Sequence, residues 1–134
     1  MIFKTFNLLL KQKNSKLVSF IITNFIDIDR ELCTLIQWLV GDNEEIIACG
    51  AVLFYEFPPS YTNKTGKKAY IVNMYTNQNY RGQGIATKLL TKLVDEVKSS
   101  GISKIWLGAS KMGRPVYKKF GFRERDEFLE LNII

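Results

Sequence analysis

Apolar residues recur at helical spacing at Val18, Ile21, Ile22 and Phe25, which predicts an amphipathic helix over residues 15–28 with Ser15 as its N-cap. The pattern then changes. LCTLIQWLV, closed by Gly41-Asp42-Asn43, and EIIACGAVLFYEF, stopped by Pro58-Pro59, read as two strands of a hairpin. Residues 58–68 (PPSYTNKTGKK) are polar and turn-rich, hence a loop. Ala69–Thr76 is a third strand, followed by the loop NQNYRGQG. From Ile85 the period is helical again: Ile85, Leu89 and Leu93 form one stripe, Ala86, Leu90, Val94 and Val97 flank it, and Lys88, Lys92 and Glu96 lie opposite. Ser99-Ser100-Gly101 ends that helix. ISKIWLGAS is a fourth strand, Gly113-Arg114-Pro115 opens a short helix that Gly121 ends, and EFLELNII alternates as a last strand.

The predicted order from residue 32 is β-β-β-α-β-α-β. The third and fourth strands, joined by a full helix, should pair in parallel with a right-handed crossover, and the rest should be antiparallel. The fold class is therefore α/β, with a mixed sheet in a single domain over residues 1–134. A chain of 134 residues with 46% hydrophobic and 24% charged positions supports one such core and argues against general disorder.

Composition removes several chemistries. With no histidine, a His-based triad, a His general base and a His metal site are excluded within this chain. Cys33 and Cys49 are too few for a disulfide scaffold or a four-thiolate zinc site, so no metal is expected. No segment approaches the roughly 18 apolar residues of a membrane span, and the N-terminus lacks a secretory pattern, so a cytoplasmic protein is expected. In that setting the Asn63-Lys64-Thr65 sequon has no meaning. The net charge of +6 attracts anions without naming one. Lys4, Lys11, Lys13 and Lys16 read as a solvated face, and the aromatics do not interleave with basic residues, so nucleic acid is not an expected partner.

The sharpest chemical signal is Tyr80-Arg81-Gly82-Gln83-Gly84-Ile85-Ala86, between a strand and an amphipathic helix. Glycines let the backbone approach a ligand, and the first turn of a helix presents unpaired N–H groups with partial positive charge. Together they suit a pyrophosphate, with Arg81 adding a full charge at the rim. Taken alone, the segment is equally a plain glycine-rich turn. A dinucleotide fingerprint fails because Thr87 stands where a third small residue is needed and the next strand ends in Gly108-Ala109-Ser110 without an acid. A Walker-type loop fails for want of a Gly-Lys-Ser/Thr ending.

Arg81-x-x-Gly84-x-Ala86 resembles the acyl-coenzyme A signature of the GCN5-related N-acetyltransferases (GNAT). YIVNMYT resembles that family's bulged central strand, and the segment from Gly113 to Phe122 its tyrosine-bearing helix ending in Gly-Phe. The resemblance covers roughly residues 45–134. It implies an acyl-CoA N-acyltransferase fold, mostly antiparallel with one parallel strand pair, and an acetyl-CoA-dependent N-acetyltransferase acting on a primary amine of a small molecule or a protein. The main chain of Met74 and Thr76, with Tyr75 between them, would pair with the pantetheine arm. Arg81, Gly82, Gln83, Gly84, Ile85, Ala86 and Thr87 would form the pyrophosphate loop. Ser110 stands where many members place a pantetheine-contacting asparagine, and Tyr117 matches the tyrosine near the thioester sulfur.

The implied chemistry is direct attack of a neutral amine on the thioester, with Tyr117 protonating the departing thiolate. Tyr117 is otherwise a core aromatic. Glu56 is the candidate carboxylate base if the second predicted strand lines the substrate side, and otherwise a solvated acid. Asn73 and Tyr75 would orient the amine or a water, or else serve only the sheet. Phe54, Tyr55, Phe57 and Tyr61 form an aromatic group that walls an acceptor pocket or simply joins the core. The family opens with a strand that finds no counterpart among the first 30 or so residues, so the sheet is expected to lack its first strand. That lack motivates a second subunit over the bare edge, a homodimer, and an alternative function as a catalytically weak or inactive coenzyme A-binding module.

Overall fold

The computed structural model describes residues 18–22, 33–43, 45–125 and 130–133. Strands β1 (Val18–Ile22), β2 (Cys33–Asp42), β3 (Glu45–Glu56) and β4 (Lys67–Thr76) are followed by helix α1 (Ile85–Ser99), strand β5 (Ile105–Leu107) and helix α2 (Arg114–Phe120). They form one five-stranded sheet in the order β1-β2-β3-β4-β5. Every neighbouring pair is antiparallel except β4 and β5, where Ala69–Ile71 runs parallel to Ile105–Leu107. The hairpin, the parallel pair and its connecting helix are as the residue pattern predicts.

Helix α1 covers one face of the sheet. Its Leu90, Leu93 and Val97 pack on Val52, Ala69 and Ile71, and its Ile85 and Leu89 pack on Ile47 and Ala48. All of these are essentially removed from water. Strand alternation explains the selection. Val52 faces Ile71 across the ladder and Phe54 faces Ala69, so these positions share the helix-bearing face. Small residues at Ala48, Gly50 and Ala69 let the helix lie close to the strands.

Two expectations are corrected at the chain's ends. The helix expected over 15–28 is, at Val18–Ile22, a strand paired with β2 from Val18↔Gly41 to Ile22↔Gln37; the remaining positions of that span lie outside the described residues. Three β-branched residues among five favour an extended chain once a partner edge is available. Strand β1 also lies along the edge that the sequence leaves bare, so the first strand is not missing. The expected last strand, EFLELNII, lies partly outside the described residues, and residues 130–133 are not in a strand. No described helix is long and apolar enough to cross a membrane.

Candidate active site

The site begins with an irregularity in β4. Cys49 pairs with Tyr75 and Ala51 with Val72, so Gly50 alone faces both Asn73 and Met74. This is a β-bulge, and Asn73 within it takes the left-handed conformation (φ 54°), which asparagine tolerates better than most residues. Met74 turns inward over Gly50: a Cβ on Gly50 would sit 2.5 Å from Met74 Sδ and 3.1 Å from Leu93 Cδ1. The Cys49 thiol donates to the Asn73 carbonyl at 3.2 Å. Burial raises the pKa of that thiol, opposed by the Tyr75 main-chain N–H that faces it. A bulge bends its strand and sharpens its twist. Accordingly, β4 pairs with β5 only through Ile71, then runs on to Thr76 with no described strand on that side. The parallel ladder ends at Ile71 and Leu107, which leaves Val72–Thr76 without a described strand on that side.

The chain leaving β4 is pinned at its base. Asn77 N–H donates to the Ile47 carbonyl at 2.7 Å, Tyr80 Oη donates to Asp42 at 2.8 Å, and Arg81 Nε donates back to the Thr76 carbonyl at 3.0 Å. That carboxylate holds the Tyr80 phenol protonated beyond its ordinary range. The segment then opens. Gly82, Gln83, Gly84 and Thr87 are exposed. Gly84 caps α1 in the left-handed region (φ 75°) and has no side chain to satisfy the helix's first amides, and no acid stands in the first turn. The first intrahelical bond is Lys88 N–H to the Gly84 carbonyl. The amides of Ile85, Ala86 and Thr87 therefore begin a 15-residue helix with its positive end directed outward. Nothing lies within 4 Å of where a side chain would start at Gly82 or Gly84, so the notch is open. The Ile85 side chain is buried in the core and contributes packing.

On the far side of the parallel pair, β5 leads into α2. Ser110 closes the turn before this helix: its Oγ accepts the Gly113 N–H and its carbonyl the Arg114 N–H, both at 3.0 Å. This local turn-closing role is one that the pattern reading does not assign. Tyr117 packs against the Val52–Leu90–Leu93 cluster, edge-on to Phe122 at 6.1 Å. Burial pushes its phenol above the usual value, so it carries its proton throughout the neutral range.

Bulge, loop and helix terminus thus meet at one end of β4, with Tyr117 and Ser110 on the elements following β5. Glu56 does not join them. It ends β3 opposite Lys67, which lies 3.8 Å away, and is half-exposed. Six residues of extended chain separate it from Gly50, roughly 20 Å along the strand. The aromatic group also divides. Phe54 packs against the core, Tyr55 and Phe57 meet edge-to-face at 5.0 Å, and Tyr61 stands in solvent. Tyr75 is 53% exposed and, paired with Cys49, lies on the face away from α1.

A cavity of about 820 Å³ lies beside β5, walled by Trp106, Leu107, Tyr117 and Phe122. Among the described residues its charged lining is Lys68, Lys104, Arg114, Lys118, Glu124, Arg123 and Arg125. These residues are scattered from position 68 to 125, and no local motif announces them. Among the described residues no group of His, Cys, Asp and Glu could hold a metal ion.

A mixed sheet with a bulged strand, a single parallel pair and an uncapped helix entering from a glycine loop defines a class. Residues 6–122 match the sequence model of the acetyltransferase (GNAT) family, and the chain belongs to that family. A predicted acetyltransferase from Clostridium acetobutylicum, solved with acetyl-CoA, superposes with a TM-score of 0.71 at 58% identity, covering 73% of this chain and 64% of that one. The thialysine N-epsilon-acetyltransferase of Mus musculus is 29% identical over 90 residues, 65% of this chain and 51% of its own. The glucosamine 6-phosphate N-acetyltransferase of Trypanosoma brucei brucei is 28% identical over 75 residues, 56% of this chain and 51% of its own. The chain thus spans about half the length of these two curated relatives.

Proposed function

We propose that this protein transfers the acetyl group of acetyl-CoA to a primary amine by direct attack. The observation that carries the reading is the open, uncapped terminus of α1, reached from a strand whose last residues, Val72–Thr76, have no described strand on the β5 side. The diphosphate fits the amides from Gly82 to Thr87, with the Arg81 charge at the rim. The pantetheine arm fits the unpaired side of β4 at Met74, Tyr75 and Thr76, as an added strand would, with Ser110 beyond β5. In this reading the thioester lies between the bulge and Tyr117.

The neutral amine attacks the thioester carbonyl carbon, and the oxyanion that forms is stabilised by main-chain N–H groups at the bulge. Collapse breaks the C–S bond, and the Tyr117 phenol protonates the departing thiolate. The proton lost by the amine leaves through water, with Asn73 and Tyr75 orienting amine or water at the bulge. Glu56 lies too far along β3 to take it. The separate reading as an inactive coenzyme A-binding module rests on a missing first strand, and β1 removes that ground.

Mass spectrometry of primary amines incubated with protein and acetyl-CoA tests the reading: an acetylated product supports it, and acetyl-CoA binding with no product from any amine counts against it. Tyr117→Phe should lower kcat about 100-fold, the usual range for losing a general acid, with acetyl-CoA affinity within about twofold of the parent. Unchanged kcat would remove Tyr117 from the mechanism. Because burial raises the phenol's pKa, the parent's kcat should fall only at alkaline pH beyond the ordinary tyrosine range, and the Phe variant should lose that limb.

A further inference from the structure

Arg114 Nη1 and Lys118 Nζ converge on one oxygen, Oε1 of Glu124, at 2.8 and 3.0 Å. These are charge-assisted contacts of the short kind, and they hold the Glu124 carboxyl below its usual range, the Lys118 contribution being the larger. Arg114 and Lys118 lie one turn apart on α2, which fixes their spacing. Glu124 sits beyond Gly121, outside any helix or strand, and lines the cavity together with Lys68, Lys104 and Arg123 as well as the two cations it binds. Such a lining attracts a second anion, and a cavity of about 820 Å³ is large enough for a small substrate. Tyr117, from the same helix, forms part of its wall.

We propose that the acceptor amine carries an anionic group, carboxylate or phosphate, which takes the place of Glu124 between Arg114 and Lys118. This rests on the function proposed above, because it is Tyr117 that ties the cavity to the reaction. The chain's own carboxylate is the stand-in: it shows that the two cations are placed to chelate one oxygen of an anion. Lys68 and Arg123, also in the lining, supply further positive charge. The amine then extends from the held anion toward the thioester beside Tyr117.

Two pairs of acceptors separate the sources of the anion: lysine against 1,5-diaminopentane for carboxylate, and phosphoethanolamine against ethanolamine for phosphate. The anionic member of at least one pair should show kcat/KM about tenfold higher, the range of a charge-assisted hydrogen bond. Lys118→Gln should raise the KM for that acceptor about tenfold with the KM for acetyl-CoA unchanged, and Glu124→Gln should lower it by about threefold. Inorganic phosphate binding, measured by calorimetry on the same variants without turnover, should rank Glu124→Gln above the parent and the parent above Lys118→Gln. Acetylation of neutral and anionic amines alike, with phosphate affinity equal in all variants, overturns the anion seat and leaves the proposed function standing. No acetylation of any amine, with phosphate affinity following the stated rank, overturns the function and leaves the seat.

Discussion

Gly84→Glu is expected to weaken acetyl-CoA binding at least about 100-fold, near 3 kcal/mol, while the protein remains folded. The substitution acts where α1 begins. Gly84 holds φ 75°, and a side chain there costs about 1–2 kcal/mol of local strain. Space is not the obstacle, since nothing lies within 4 Å of the new Cβ. The charge is. A carboxylate at the N-cap sits on the amides assigned to the diphosphate and repels it, and the same carboxylate favours the helix itself through the dipole. Binding and stability should therefore separate. With the parent, acetyl-CoA at about 100 times its Kd should stabilise by about 2.7 kcal/mol, raising Tm on the order of 10 °C, and the variant should show no such rise. Gly84→Ala, which adds strain without charge, should retain most of the binding.

Gly50→Leu is the second large effect, and it bears on the fold as much as the site. Gly50 is the residue of β3 that faces the two-residue bulge, and Met74 occupies the room its missing side chain leaves. A leucine must displace Met74 Sδ and crowd Leu93 of α1, an overpacking of about 2–3 kcal/mol. Because Met74 is flexible, Gly50→Ala should cost less, and less still in a Met74→Ala background. That coupling, measured by urea unfolding, should be about 1 kcal/mol or more. Any Gly50→Leu protein that folds should bind acetyl-CoA poorly, because the strand proposed to carry the pantetheine contacts has been pushed out of register. A Gly50→Leu protein as stable as the parent would show that the bulge does not depend on this close contact.

These positions also show what the residues disclose before a structure is known. Helix α1 is plain from its stripe because a helical period sustained over 15 residues has few alternatives, and the Arg81–Ala86 signature has a physical reading in its own right. The bulge is a property of register between β3 and β4, which no single segment contains; its one local trace is Gly50 inside an otherwise apolar run, a position that marks a close backbone approach. Strand β1 is only five residues long, and Val18, Ile21 and Ile22 fit a helical stripe as readily as a strand, so pairing with β2 decided the matter. Glu56 is a carboxylate at a strand end, as an acid–base role would need. Only the ladder shows that this end lies opposite Lys67, far from the bulge. The cation-lined cavity joins β4, β5, α2 and the residues beyond it, and becomes visible only when they are brought together.

Diffraction from a crystal of this protein grown with acetyl-CoA tests the central claim most directly. The diphosphate oxygens should lie about 3 Å from main-chain nitrogens between Gly82 and Thr87, at hydrogen-bond distance, with the pantetheine arm along Met74–Thr76. A diphosphate bound elsewhere, with those amides facing only water, would contradict it.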